Sequence, residues 1–238
     1  MPSAEADLPV VRIDDRFHNL IPSRFPTVRV YERIAEGRDD HFAAIEEMTN
    51  PRVREKARLT RNLAPVDQEQ PRFKNWNHAP FVYPNPEGSR FFGPNRNVVE
   101  LSGDLQTALA ISVAKRETFL RRTREPVTFL EMRQIVRPVR GSYLDARGLG
   151  WVDDGNLRLN LGQRVVDAEL DGLLFRPAER PSATGIVVLK AECLGKADQG
   201  DHFKFIWNGE RISTLYSFRK SDAYSPDLLG LEETILAA

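Results

Sequence analysis

Residues able to do chemistry are thinly spread along these 238 residues. The four histidines, His18, His41, His78 and His202, form no HxxxH or HxH pair, so no histidine-based metal site is expected. Cys193 is the only cysteine, which excludes an internal disulfide and a thiolate metal site within one chain, and fits a reducing compartment. There is no GxxxxGK[ST] phosphate loop, no GxGxxG after a strand and no GxSxG elbow. The adjacent acids Asp14-Asp15, Asp39-Asp40 and Asp153-Asp154 lie in loop-like sequence and read as solvated turn residues rather than paired catalytic acids. Trp76, Trp151 and Trp207 read as core anchors.

One segment, Gly88 to Leu120, organises what remains. Arg90 sits in Gly88-Ser89-Arg90-Phe91, at the exit of a Pro/Asn/Gly-rich loop, and Glu100 in the short strand candidate 98–101. Ser102-Gly103-Asp104 is a turn able to cap a helix. The spacing predicts that helix from Leu105 to Arg122, with Leu105, Ala108, Leu109, Val113, Phe119 and Leu120 on its apolar face. Ile111 lies about 140° from the centre of that face at ~100° per residue. Either the helix is buried on two sides, or Ile111 faces a cleft.

The surrounding composition is that of an ordinary globular protein: 41% hydrophobic and 29% charged residues. Thirty-four basic and 34 acidic residues cancel, so there is no electrostatic case for nucleic acid or an anionic membrane as the main partner. Met1 to Leu8 has no basic start and no apolar stretch, hence no signal-peptide pattern. No apolar run reaches membrane-spanning length. A cytoplasmic location is expected.

Residues 1–21 are expected to be an N-terminal arm, 22–220 the folded domain and 221–238 a tail with a short helix at 228–236. Strands are predicted at 28–34, 81–83, 127–136 and 185–189, a turn followed by a buried strand within 171–175, and a hairpin at 203–216 around Asn208-Gly209-Glu210. The stretch 141–145 reads as a turn, and Asp153-Asp154-Gly155-Asn156 as the tip of a hairpin flanked by 151–152 and 157–159. Helices are predicted at 39–48 and 163–170. About seven strands interleave irregularly with three or four helices, which argues α+β rather than a regular βαβ winding.

Several blocks, in order, resemble the RES-domain family, the toxin-like partners of Xre-type antitoxins, in its longer form. They are Pro22–Pro26 with Tyr31–Ile34, Thr49–Arg52, Ser89-Arg90-Phe91, Thr107–Ala110, Arg116-Glu117 with Phe119-Leu120, Asp171–Phe175 and Trp207–Ile212. The resemblance implies a compact α+β fold similar to ADP-ribosyltransferases, a mixed twisted sheet with flanking helices, and a cleft that takes NAD+. It implies that arginines hold the pyrophosphate. It further implies an aromatic residue packed on a cofactor ring and a carboxylate that steadies the oxocarbenium-like charge as the nicotinamide–ribose bond breaks. No metal is implied.

Carried over position by position, Arg33 and Arg90 stand at the family arginines, and Tyr83 at a family histidine. Glu100 stands where the family has a tyrosine, Ile111 where it has its catalytic glutamate, and Pro177 where it has a serine. Two readings follow. In one, the domain is degenerate at the catalytic site and acts by binding a ligand or a protein, such as an Xre-type antitoxin or another copy of itself. In the other, it is an active NAD+ glycohydrolase, phosphorylase or ADP-ribosyltransferase, with Glu100 as a relocated carboxylate and Ser182 as the replacement serine. Either way, Arg33, Arg90, Glu100 and Ile111 are expected to line one pocket.

Overall fold

A computed structural model describes residues 7–23, 80–81, 85–219 and 222–233. Among these residues eight strands carry the fold: β1 Val10–Pro22, β2 Val99–Ser102, β3 Thr128–Asp145, β4 Gly172–Phe175, β5 Gly185–Val188, β6 Asp198–Trp207, β7 Ile212–Ser217 and β8 Ala223–Tyr224. Among the described residues, two complete α-helices, α1 Leu105–Thr123 and α2 Gly155–Asp167, flank them. The α+β expectation holds.

The long strand β3 organises the sheet. It pairs antiparallel with β1 along the whole of β1, antiparallel with β6 through its first half, and parallel with β4 at residues 143–145. From β4 the pairing runs through β5 to β2, and His18 opposite Ser102 joins β2 back to β1. The five strands β1, β3, β4, β5 and β2 thus form a closed ring, while β6, β7 and β8 extend the sheet from β3.

Three apolar clusters follow from this layout. Phe17, Leu101, Val139, Tyr143, Leu174 and Ile186 pack with one another among the ring strands. Helix α1 brings Leu109, Val113 and Leu120 against Met132, Phe203, Phe205 and Trp207 of β3 and β6. Helix α2 brings Leu161 and Val165 against Leu173, Phe175 and Val187, together with Phe91 and Phe92 from the loop before β2. Strands β4 and β5 are buried at every position, because clusters lie on both of their faces.

Several expectations change. Residues 10–21, expected in an arm, form most of β1 and are registered against β3 at every position. The alternation of Val11, Ile13 and Phe17 with charged residues is a strand pattern. The turn expected at 141–145 is continuous strand: Gly141 has φ 148°, and a Cβ there would lie 2.5 Å from Asp171 Oδ2, so glycine lets β3 pass the Asp171 side chain.

The hairpin expected around 153–156 is instead the start of α2. Asp154 Oδ1 accepts hydrogen bonds from the Asn156 and Leu157 amides at 2.8 and 3.2 Å, making Asp154 an N-cap rather than a turn residue. The short helix expected at 163–170 is the second half of α2, which ends at Asp167. Phe81, expected in a strand, is helical.

Nor is the tail a simple appendage. Ala223–Tyr224 adds a strand, Leu229 is buried in the α1 cluster, and residues 229–233 are turn and bend instead of the expected helix. Trp207 is a core anchor, its Nε1 donating to Glu125 O at 2.9 Å. Trp151 is only half-buried. The strand expected at 28–34 and the helix expected at 39–48 lie outside the described residues.

Candidate functional site

Helix α1 is placed at its N-terminus by Asp104, whose Oδ1 accepts from the Thr107 amide at 2.8 Å and whose Oδ2 accepts from the Thr107 hydroxyl at 2.8 Å. The buried Arg180 guanidinium donates to Asp104 Oδ1 at 3.0 Å, and to the Leu231 and Glu232 carbonyls at 3.0 Å each. The cap, the loop after β4 and the C-terminal stretch are therefore locked together. Nearly every side chain in the first nine residues of α1 is buried, Ile111 included, so the helix enters the protein surrounded on all sides. Its second half emerges, and Phe119, expected on the apolar face, is 55% exposed.

The emerging half forms one wall of a cavity of about 890 Å³ through Ala114, Lys115, Thr118 and Arg122. The loop before β2 supplies Ser89, Arg90 and Arg96, β2 supplies Glu100, α2 supplies Arg158, and the loop after β4 supplies Glu179. Gly88 makes the Arg90 loop possible. At φ 73° it turns the chain where a Cβ would stand 2.6 Å from Phe92 O. The loop is then closed by Ser89 N donating to Phe92 O at 2.7 Å.

Four charges interlock on the cavity wall. Glu100 Oε2 accepts from Lys115 Nζ at 2.6 Å and from Arg90 Nε at 3.4 Å, while Oε1 accepts from the Arg90 amide at 3.2 Å. Arg90 Nη2 donates to Glu179 Oε1 at 2.6 Å. The Arg90 guanidinium also lies 5.8 Å from the Trp151 ring centre and 5.7 Å from that of Phe175. Burial would raise the Glu100 carboxyl, but the charges of Lys115 and Arg90 and their hydrogen bonds outweigh it and hold it at about 2. Burial would likewise lower Arg90, but Glu179 and Glu100 hold it above its ordinary value.

Of the expected site residues, Arg90 and Glu100 meet in this cavity and touch. Ile111 does not line it. Its helical spacing puts it on the same face as Ala114, Lys115, Thr118 and Arg122, but one turn earlier, where the helix is already buried. Pro177 is buried, and Ser182 is exposed with its carbonyl taken by Arg176 Nη1 at 2.6 Å; neither lines the cavity. Arg33 and Tyr83 lie outside the described residues. Lys115, Arg158 and Glu179 were not anticipated. Lys115 was legible, since it is one helical turn beyond Ile111. Glu179 had no local signal, because only the β4 to β5 connection brings it to Arg90.

Among the described residues no group of three or more His, Cys, Asp or Glu could hold a metal ion. No helix among them is long and apolar enough to cross a membrane.

The family model for the RES domain matches residues 67–208, well over half of the chain and including every cavity-lining residue. The chain belongs to the RES-domain family. The RES-domain match begins after the blocks at 22–34 and 49–52, so the assignment of Arg33 rests on residues outside it. A relative from Sinorhizobium fredii (strain NGR234), described as the uncharacterized protein y4oC, is 44% identical over 222 residues, spanning 92% of this chain and 95% of the relative. Among solved structures, the Mycobacterium tuberculosis MbcT–MbcA toxin–antitoxin complex contains a similar chain. The TM-score is 0.41 at 10% identity, covering 92% of this chain and 89% of that one.

Proposed function

We propose that this RES-domain protein is degenerate at the catalytic site of its family and acts by binding. Its cavity takes an NAD+-type ligand, and its surface engages a protein partner, an Xre-type antitoxin or a second copy. The observation that carries this is the state of Glu100. Both of its oxygens are occupied by Lys115 and Arg90, and it is only 8% exposed. A carboxylate that steadies developing positive charge must face the reacting ribose at close range. Turning Glu100 outward would give up its bonds to both Lys115 and Arg90. Ile111, with no charge and no access to the cavity, cannot supply the missing group.

The cavity itself suits an anionic ligand with polar hydroxyls. Among the described residues five cations, Arg90, Arg96, Lys115, Arg122 and Arg158, line it against three carboxylates, Glu87, Glu100 and Glu179. The excess of cations and the mixture of polar and apolar walls support a dinucleotide better than a neutral apolar molecule.

A second reading is favoured by one observation: Glu100 lines the same cavity as Arg90 and is ionised at neutral pH. On that reading the protein cleaves NAD+ or transfers its ADP-ribose, with Glu100 released from Lys115 when substrate enters. The test is incubation of the purified protein with NAD+, with and without phosphate, following nicotinamide. Binding without nicotinamide release is the expected result. Turnover that disappears in Glu100→Gln would establish the enzyme reading instead.

A further inference from the structure

Arg90 is the central cation of the cavity, yet without a ligand it is already neutralised. Glu100 takes its Nε and its amide, and Glu179 takes Nη2. The two carboxylates play different parts. Glu100 has both oxygens bonded and a second cation, Lys115, at 2.6 Å. Glu179 has one oxygen on Arg90, while the other, Oε2, is buried without a hydrogen-bond partner among the described residues. A buried charged oxygen with no donor is costly, so among the described residues Arg90 is the group that holds the Glu179 carboxylate in place.

The backbone around Glu179 is fixed independently of that contact. Arg176 holds the Ser182 and Ala183 carbonyls at 2.6 and 2.9 Å, and Arg180 is pinned to Asp104, Leu231 and Glu232. The Glu179 side chain can therefore rotate off Arg90 into the cavity it lines without any movement of the loop. Doing so releases one donor of a guanidinium that stays anchored by Glu100 and lines the same cavity as Arg96 and Arg158.

We propose that Glu179 is a resident competitor. Its carboxylate stands on Arg90 where an anionic oxygen of the ligand will stand, and an anionic group binds by displacing it. Glu179 thereby sets the charge specificity of the cavity. A singly charged group gains nothing by exchanging with a carboxylate, whereas a multiply charged phosphoryl or pyrophosphoryl group, able to reach more than one of these arginines, does. The ligand class deepens the proposed function and rests on it only for the NAD+ arm of the test.

The experiment is calorimetric titration of the full chain with inorganic pyrophosphate and, separately, with NAD+, in the wild type, Glu179→Gln and Glu179→Asp. Glutamine removes the competing charge. Aspartate keeps the charge but withdraws it by one methylene, so it reports even if the glutamine variant does not fold. At least a ten-fold tightening for pyrophosphate is expected in both variants, and its loss when Arg90→Gln is added. Pyrophosphate binding that is unchanged, weaker or absent in both variants overturns the proposal. If pyrophosphate tightens but NAD+ binds none of the proteins, displacement stands and the NAD+ reading fails. If NAD+ and pyrophosphate bind all three equally well, the NAD+ reading stands and displacement fails.

Discussion

Lys115 on α1 reaches back to Glu100 on β2 at 2.6 Å, tying the emerging half of the helix to the strand that starts the cavity wall. The Glu100 carboxyl is held at about 2 against an ordinary 4.5. Its folded value is depressed, so its contribution to stability is complete above about 4.5 and is lost as pH falls toward 2. Over that window the wild type should lose on the order of 3 kcal/mol through this group. Urea unfolding at several pH values should show this acid limb flattened in Glu100→Gln. In Lys115→Met the limb should narrow, because the Glu100 value moves back up.

Replacing Asp104 removes two things at once. Asp104→Ala deletes the α1 N-cap and an acceptor of the buried Arg180 guanidinium. A loss of about 2–3 kcal/mol is expected, roughly 1 from the cap and the rest from the exposed half of a charge pair whose other half is buried. Asp104→Asn keeps a capping oxygen and should lose less than the alanine variant. Denaturant midpoints of the two variants give the comparison.

Gly162 in the middle of α2 lies under the Arg90 loop. A Cβ there would stand 1.9 Å from Phe91 O, a backbone atom that cannot swing away. Alanine is favoured over glycine inside a helix by about 1 kcal/mol, so an isolated helix would gain. Here Gly162→Ala should instead destabilise by about 1–3 kcal/mol. It should also weaken ligand binding, since Phe91 adjoins Arg90. Thermal melting and the pyrophosphate titration read the two effects.

Burial, with Asp171 second, pushes the Cys193 thiol up to about 11. The thiolate is the reactive form, so Cys193 should be unreactive toward a disulfide exchange reagent at pH 8 in the folded protein. One thiol per chain should react after denaturation. Fast labelling of the native protein would contradict the burial of this residue in the ring cluster.

Amphipathic spacing and capping chemistry were enough to locate α1, because Asp104 and the i, i+4 apolar rows act over a single turn. The same locality made β4, β5 and the β6–β7 hairpin readable: uninterrupted apolar runs mark doubly covered strands, and Asn-Gly marks a reversal. Local reading misjudged Asp154-Gly155, where an Asp-Gly pair serves a helix cap as readily as a hairpin. It also misjudged Gly141, whose glycine answers to Asp171 thirty residues away rather than to a turn.

What the sequence by itself determined is the family, the α+β class and the meeting of Arg90 with Glu100, which lie ten residues apart on a loop and the strand it feeds. Only the tertiary structure decided the rest. Ile111 is on the cavity face of α1 but below the cavity, because the depth at which a helix leaves the core depends on what packs around it and not on its period. Glu179 reaches Arg90 because β4 and β5 close a ring with β2, and ring closure is a property of pairings between strands far apart in the chain.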